Sequence, residues 1–386
     1  MQHVLLVIAL VLFAAYAALI IYYWYGWITA KEYQPSLQTP TVLISVLIPA
    51  RNEAKNISAC LQSLLNQTYP KHLYEIIVVD DFSEDETAAV VKGFSAIRLL
   101  QLKDFVPGKI NSYKKKAIEV GISQAKGELI VTTDADCTAP ANWLQTIAAF
   151  YAEKKPSLLV MPVAINCYNR FIELFQALDF MTLQGITGAA VNKKALSMCN
   201  GANLAYTKKA FQDVDGFADI DNIASGDDML LMHKIFKQNK NSVQYLKSKE
   251  VIVQTEPVHT VIDFLSQRIR WASKADKYDD KRILPVLVIV YLFNCLLLIA
   301  PLITLFYNFQ CSIFNIHYSL LQMWVTLLTA KTIVELIFLI PVAKFFRQQK
   351  LLWFFPLLQP FHILYTVIAG WLGKFGSYQW KGRRVK

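Results

Sequence analysis

The sequence predicts an α/β domain on a mainly parallel sheet, flanked by membrane helices. Three observations predict it. Strand-like and helix-like segments alternate through the middle of the chain, polar residues gather just after the strand-like runs, and long uncharged stretches lie toward both ends. The chain has 386 residues, of which 54% are hydrophobic and 18% charged, more apolar than a soluble enzyme of that size needs.

Residues 4–30 contain no Asp, Glu, Lys or Arg, a run longer than the roughly 20 residues that carry a helix across a bilayer. Met1-Gln2-His3 lacks the basic start of a secretory signal, so the segment reads as a retained anchor over residues 1–30. Residues 31–282 have ordinary globular composition and are long enough for one well-buried domain. Beyond the linker QPSLQTP, strands are expected at 43–48, 75–79, 97–101 and 129–133, with helices at 55–65, 84–94 and 114–125 between them. Residues 283–373 form a C-terminal membrane region, and 374–386 a basic tail. In that region 283–330 is again uncharged, with room for two spans around the polar residues Asn308, Gln310, Asn315 and His317. The run 351–373 follows Lys344, Arg347 and Lys350 and holds Pro356 and Pro360, which suits a kinked span or a re-entrant helix pair. Lys331 and Glu335, four apart in the third span, can pair on one helical face.

The net charge of +10 does not imply nucleic acid, because many basic residues flank the spans and no aromatic-basic motif recurs. Six cysteines stand singly without CxxC spacing, which indicates neither a disulfide framework nor a zinc site.

In an open parallel sheet, ligands bind beyond the carboxyl ends of the strands. Arg51, Asn52 and Glu53 follow the first strand, Asp80 and Asp81 the second, and Asp134 and Asp136 the fourth, all at that edge. Carboxylates in a turn can face one Mg²⁺ or Mn²⁺, which takes oxygen ligands and commonly keeps substrate phosphates in its shell. Asp134-Ala135-Asp136 can equally cap a helix opening near Pro140. Asp81-Phe82-Ser83-Glu84 also resembles a helix start, and the lysines 114–116 can be a solvated face. Asp227-Asp228 opens an apolar-periodic helix, where capping needs only one carboxylate. Arg270 and Trp271 suit either phosphate and ring recognition or an interfacial anchor.

Taken in order, SVLIPARNE, EIIVVDDFSEDET, VTTDADC, GDDMLL and QRIRW resemble the family 2 glycosyltransferases of the GT-A fold, in their membrane-anchored bacterial branch, and WKGRR near the end is similar to tails of that branch. The resemblance implies that Ala50, Arg51, Glu53, Asp80, Asp81, Lys114 and Asp134 hold a nucleotide-diphospho-sugar, a UDP-sugar by expectation. It implies that Asp136, with Asp134, binds Mn²⁺ or Mg²⁺, and that Asp228, beside Asp227, is the catalytic base. Gly201, Asn203, Gln267, Arg270 and Trp271 would serve the acceptor or diphosphate side. Phe82 and Tyr113 depart from the pattern, each standing where the family commonly has Gly.

The implied activity is an inverting, metal-dependent transfer of a sugar to a lipid-linked or glycan acceptor at the membrane, in cell-envelope synthesis. A processive polysaccharide synthase is the alternative enzyme, and a non-catalytic scaffold or transporter the alternative of another class. Nucleotide-sugars are cytoplasmic, which implies a multi-pass inner-membrane protein with its domain inside. The basic loop 344–350 then lies inside as well, as the positive-inside tendency expects. Lys374, Lys381, Arg383, Arg384 and Lys386 favour an inside tail, and hence an interfacial or re-entrant 351–373.

Overall fold

The structure is a computed structural model and describes residues 2–35, 41–106, 108, 110–168, 170–195, 198–223, 226–273, 283–306, 310–313, 316–375, 378–380 and 383–385. The linker residues 36–40, the polar residues Asn308 and Asn315, and Ser377, Lys381, Gly382 and Lys386 of the tail lie outside the described residues.

The elements through the first half are α1 (Gln2–Thr29), β1 (Ile44–Ala50), α2 (Ile57–Leu65), β2 (Tyr74–Asp80), α3 (Thr87–Lys92), β3 (Arg98–Gln101), α4 (Tyr113–Gln124) and β4 (Leu129–Thr132). The four strands pair in parallel, with Ile44 opposite both Tyr74 and Leu129. In β1, Ile44, Val46 and Ile48 point into one core with Trp143 and Ile147, while Leu47 points into the other with Ile77 and Ile118. Burial on both faces explains why these strands read as unbroken apolar runs.

The second half adds β5 (Cys137–Thr138), α5 (Trp143–Lys154), β6 (Leu158–Val160), β7 (Val163–Ile165), α6 (Phe171–Asn192), β8 (Leu204–Thr207), α7 (Lys208–Asp213), α8 (Asp227–Gln238), β9 (Val243–Tyr245), β10 (Val253–Thr255) and α9 (Val261–Ala272). The main sheet has the order β3-β2-β1-β4-β8-β6-β9, with β8 antiparallel to both neighbours. A small sheet of order β5-β10-β7 stands beside it. These six later strands span only two to four residues each, too short for a period to show.

The remaining long helices are α10 (Ile283–Phe306), α11 (Leu320–Phe346) and α12 (Phe355–Phe375), with a short strand pair between α10 and α11 and another after α12. Four segments are long and apolar enough to cross a membrane: one in α1, one in α10, one in α11, and one spanning α12 with the 3₁₀ turn before it. α6 joins them to the sheet domain, packing on α1 and α11. A Cβ at Gly185 would lie 2.8 Å from Phe338 and Val342 of α11, so the close approach of these helices requires glycine.

Two expectations are corrected. The helix foreseen at 84–94 starts at Thr87, because Ser83, Glu84 and Asp85 are taken up in bonds to the loop after β1. The helix pair foreseen across Pro356 and Pro360 is one α-helix preceded by the 3₁₀ turn Gln349–Phe354. Pro356 sits in the first turn, where its missing N–H has no partner to lose, and Pro360 removes a single bond.

Candidate active site

Two loops at the carboxyl ends of β1 and β2 are laced together. Arg51 donates through Nη1 to the carbonyls of Asp81 (3.0 Å) and Phe82 (2.6 Å) and through Nη2 to Glu84 (3.1 Å). The amides of Asn52, Glu53 and Ala54 donate to the side chains of Ser83, Thr87 and Asp85. Burial works to raise the Asp85 carboxyl, but the hydrogen bonds from Thr87 and Ala54 together outweigh it and hold it below its ordinary range. Phe82 adopts a left-handed backbone (φ 52°), and its ring meets that of Tyr113 edge-on at 5.7 Å. The two departures from the family pattern are therefore one contact.

β4 ends in a turn closed by the Cys137 amide on the Asp134 carbonyl (3.2 Å). Asp134 and Asp136 both line the pocket from this turn. The capping alternative fails, since β5 follows and Asn142 is the residue that precedes α5. Beneath the turn, burial and then the Asp136 and Asp134 charges push the Cys60 and Cys137 thiols well above their ordinary range.

Lys114, in the first turn of α4, lies between two acidic motifs, with Nζ 2.8 Å from Asp134 and 3.5 Å from Asp227. Burial alone would lower the ammonium, but Asp134, Asp227 and Asp228 outweigh it and hold it above the usual lysine range. Gly226 is the N-cap of α8, Asp227 faces Lys114, and Asp228 accepts from the Gly201 amide at 2.9 Å through one oxygen and from the first-turn amide of Met229 at 2.7 Å through the other. Thr132 at the end of β4 donates to the Gly201 carbonyl (2.9 Å), which ties the two acidic motifs into one rigid piece.

From the other side, α9 brings Gln267, Arg270 and Trp271 to the same pocket. Ala50, Arg51, Glu53, Asp81, Lys114, Asp134, Asp136, Gly201, Asp227 and Asp228 complete the expected residues that line it. Two do not. Asp80 lies just behind Asp81, 6% exposed, with Oδ1 making no hydrogen bond among the described residues. A buried carboxylate oxygen without a partner is costly and fits an incoming N–H or O–H donor. Asn203 is corrected from acceptor residue to core residue. It is 0% exposed, donates to the carbonyls of Pro162 and Val251 at 2.7 Å each, and accepts from Trp143 Nε1 at 3.0 Å. Its neighbours Asn200 and Ala202 line the pocket instead. Gln176 and Phe180 of α6, Thr255 at the end of β10 and Glu256 just after it also line the pocket, and no sequence motif marks them.

Among the described residues no cluster of three His, Cys, Asp or Glu side chains could hold a metal unaided. Asp136, with Asp134, fits a hard cation in the other way such ions are held, by one or two carboxylates completed by substrate phosphates.

Mainly parallel strands, an acidic turn after β4 and a second acidic pair facing it define a nucleotide-sugar transferase fold. The comparisons agree. The family model described as "Glycosyl transferase family 2" matches residues 45–215, and the sheet domain has the GT-A fold. Among curated relatives, glycosyltransferase AglE of Haloferax volcanii is 38% identical over 106 residues, covering 26% of this chain and 33% of the relative. Beta-monoglucosyldiacylglycerol synthase of Trichormus variabilis is 25% identical over 193 residues, covering 45% and 40%. The chain thus spans less than half the length of either relative. Among solved structures, the mannosyltransferase PcManGT of Pyrobaculum calidifontis, in complex with GDP-Man and Mn²⁺, superposes with a TM-score of 0.52 at 18% identity, covering 96% of this chain and 98% of that one.

Proposed function

We propose that the chain is an inverting, metal-dependent glycosyltransferase that moves a sugar from a nucleotide-diphospho-sugar to a membrane-associated acceptor. The observation that carries this is convergence: the acidic turn after β4, the acidic pair of α8, Lys114 and the α9 residues Gln267, Arg270 and Trp271 line one pocket. A scaffold without turnover has no use for that set. Relatives named for a glycolipid and for a dolichyl-linked sugar support a lipid-linked acceptor.

Asp228 is the base. It takes the proton of the acceptor hydroxyl as that oxygen forms a bond to the anomeric carbon of the donor. The bond from that carbon to the diphosphate breaks, its electron pair leaving with the nucleoside diphosphate. Displacement from the opposite face inverts the anomeric centre. Asp80 and Asp81 receive the nucleoside, and Lys114, held charged, meets the departing diphosphate. A divalent cation bound at Asp136 and Asp134 would neutralise that diphosphate. Gln267, Arg270 and Trp271 shape the acceptor side.

The domain lies on the cytoplasmic face of the inner membrane, where nucleotide-sugars are. α1 enters, α10 leaves and α11 returns, which puts Lys344, Arg347 and Lys350 inside.

The test is transfer from a panel of nucleotide-sugars to membrane lipids, with and without chelator. Asp228→Asn should cut transfer by about 10²- to 10⁴-fold, the usual worth of a general base, with donor affinity kept. Unchanged turnover in that variant removes Asp228 as the base, and turnover indifferent to chelator removes the metal.

A further inference from the structure

Arg268 stands within QRIRW but has none of the roles given to Gln267, Arg270 and Trp271, and it is 4% exposed. A buried guanidinium must be paired, and its partners are informative. Nε and Nη2 donate to Asp179 Oδ2 of α6 at 2.9 and 2.6 Å, and Nη1 donates to Gln267 Oε1 at 2.7 Å. The guanidinium also lies over the Trp271 ring, 4.2 Å from its centroid. The other oxygen of Asp179 accepts from the Tyr365 hydroxyl of α12. Arginine has donors only, so Gln267 must give it the oxygen, and the Gln267 amide N–H₂ is left as the group available to the pocket.

α12 is otherwise set along α9: Tyr365 meets Phe264 edge-on at 5.2 Å, and a Cβ at Gly373 would lie 2.6 Å from Ala272. We propose that Arg268 is a positioning residue, held by Asp179 and through it by Tyr365, that fixes Gln267 as a hydrogen-bond donor and Trp271 as a wall of the acceptor side, so that the site is complete only while α12 is docked on α9. This rests on the glycosyltransferase reading above. Sites of this kind are sensitive because a misplacement of about 1 Å can cost about 10²-fold in rate.

The test uses the full chain in lipid nanodiscs, with wild type, Tyr365→Phe and Arg268→Lys side by side. Lysine keeps the charge opposite Asp179 but cannot bridge Asp179 and Gln267 together. Both variants should keep the wild-type melting temperature and nucleoside-diphosphate affinity. Transfer should fall about 10-fold in Tyr365→Phe and about 10²-fold in Arg268→Lys, with the loss in kcat and the acceptor KM. Amide exchange across α9 should rise in Tyr365→Phe while that of β1 stays unchanged. Arg268→Lys transferring at the wild-type rate, or losses that track melting temperature and donor affinity, overturns the proposal. A wild type with no transfer to any acceptor defeats the glycosyltransferase reading instead, and unchanged exchange across α9 then overturns the positioning role on its own.

Discussion

At the scale of single residues, Phe82 shows what a family pattern conceals. The left-handed backbone costs a non-glycine residue about 1–2 kcal/mol, and an edge-on aromatic pair returns about 0.5–1.5 kcal/mol. Phe82 and Tyr113 make such a pair, so the turn keeps its shape without the glycine that would adopt it freely. The usual order of substitutions should therefore invert. Phe82→Ala keeps the backbone cost and loses the ring, whereas Phe82→Gly loses the ring and the cost together, and should unfold at a higher temperature than Phe82→Ala by the equivalent of about 1 kcal/mol. Alanine as the more stable variant would show that the turn does not hold a positive φ. Asn203 teaches the opposite lesson. The resemblance puts it on the acceptor or diphosphate side, but three buried hydrogen bonds give it a core role that the sequence does not reveal.

At the scale of elements, what could be read was whatever carries a period or a charge. β1 to β4 and the helices between them are legible from apolar runs and spacing, and the polar residues that follow the strands mark the pocket edge. The later strands, the α6 wall and the seat of α1 were not legible, because they depend on partners remote in sequence. That seat is built on Lys247, 8% exposed, whose Nζ donates to the carbonyls of Trp27 and Ala30 at 2.9 Å each and lies 4.2 Å from the Trp27 ring centroid. Asn192 holds the Gly26 carbonyl at 2.9 Å, so the end of α1 is fastened to the sheet domain by side chains of that domain. Lys247→Met should lower stability by about 1–3 kcal/mol, the cost of stranding buried acceptors, with little change in donor affinity. Burial pushes the Lys247 ammonium down to about 8, against the pull of Glu32. The unfolded chain then holds the proton more tightly, so wild-type stability rises as pH passes from about 8 toward the free-lysine value of about 10.4, and its margin over Lys247→Met should widen there. A margin in thermal unfolding that narrows over that range would contradict the assignment.

At the scale of the whole molecule, the membrane helices and the sheet domain form one packed body. Lys331, 0% exposed at its side chain, donates to Glu335 at 2.8 Å and to Gln359 at 2.7 Å, and Glu335 accepts from Tyr16 and Gln359. The pair foreseen on one face of α11 is thus the joint of α1, α11 and α12, and each buried charge has partners from another helix. The course of α12 follows from such contacts. The 3₁₀ turn before it packs on α11, Gln359 reaches the depth of Lys331, and Gly370 faces Tyr291, about two turns into α10. Gly373 then meets Ala272, which belongs to the sheet domain. On the orientation proposed above, both ends of this segment face the side of the sheet domain, so it is expected to be re-entrant, although its length and composition would allow a crossing. On that proposal the tail with Lys374, Arg383 and Arg384 would lie inside, where positive charge is retained. A cysteine substituted at Ser377 in intact cells should stay unlabelled by an impermeant maleimide and react once the membrane is permeabilised. Labelling from outside before permeabilisation would make α12 a fourth crossing and would place the basic tail against the charge rule.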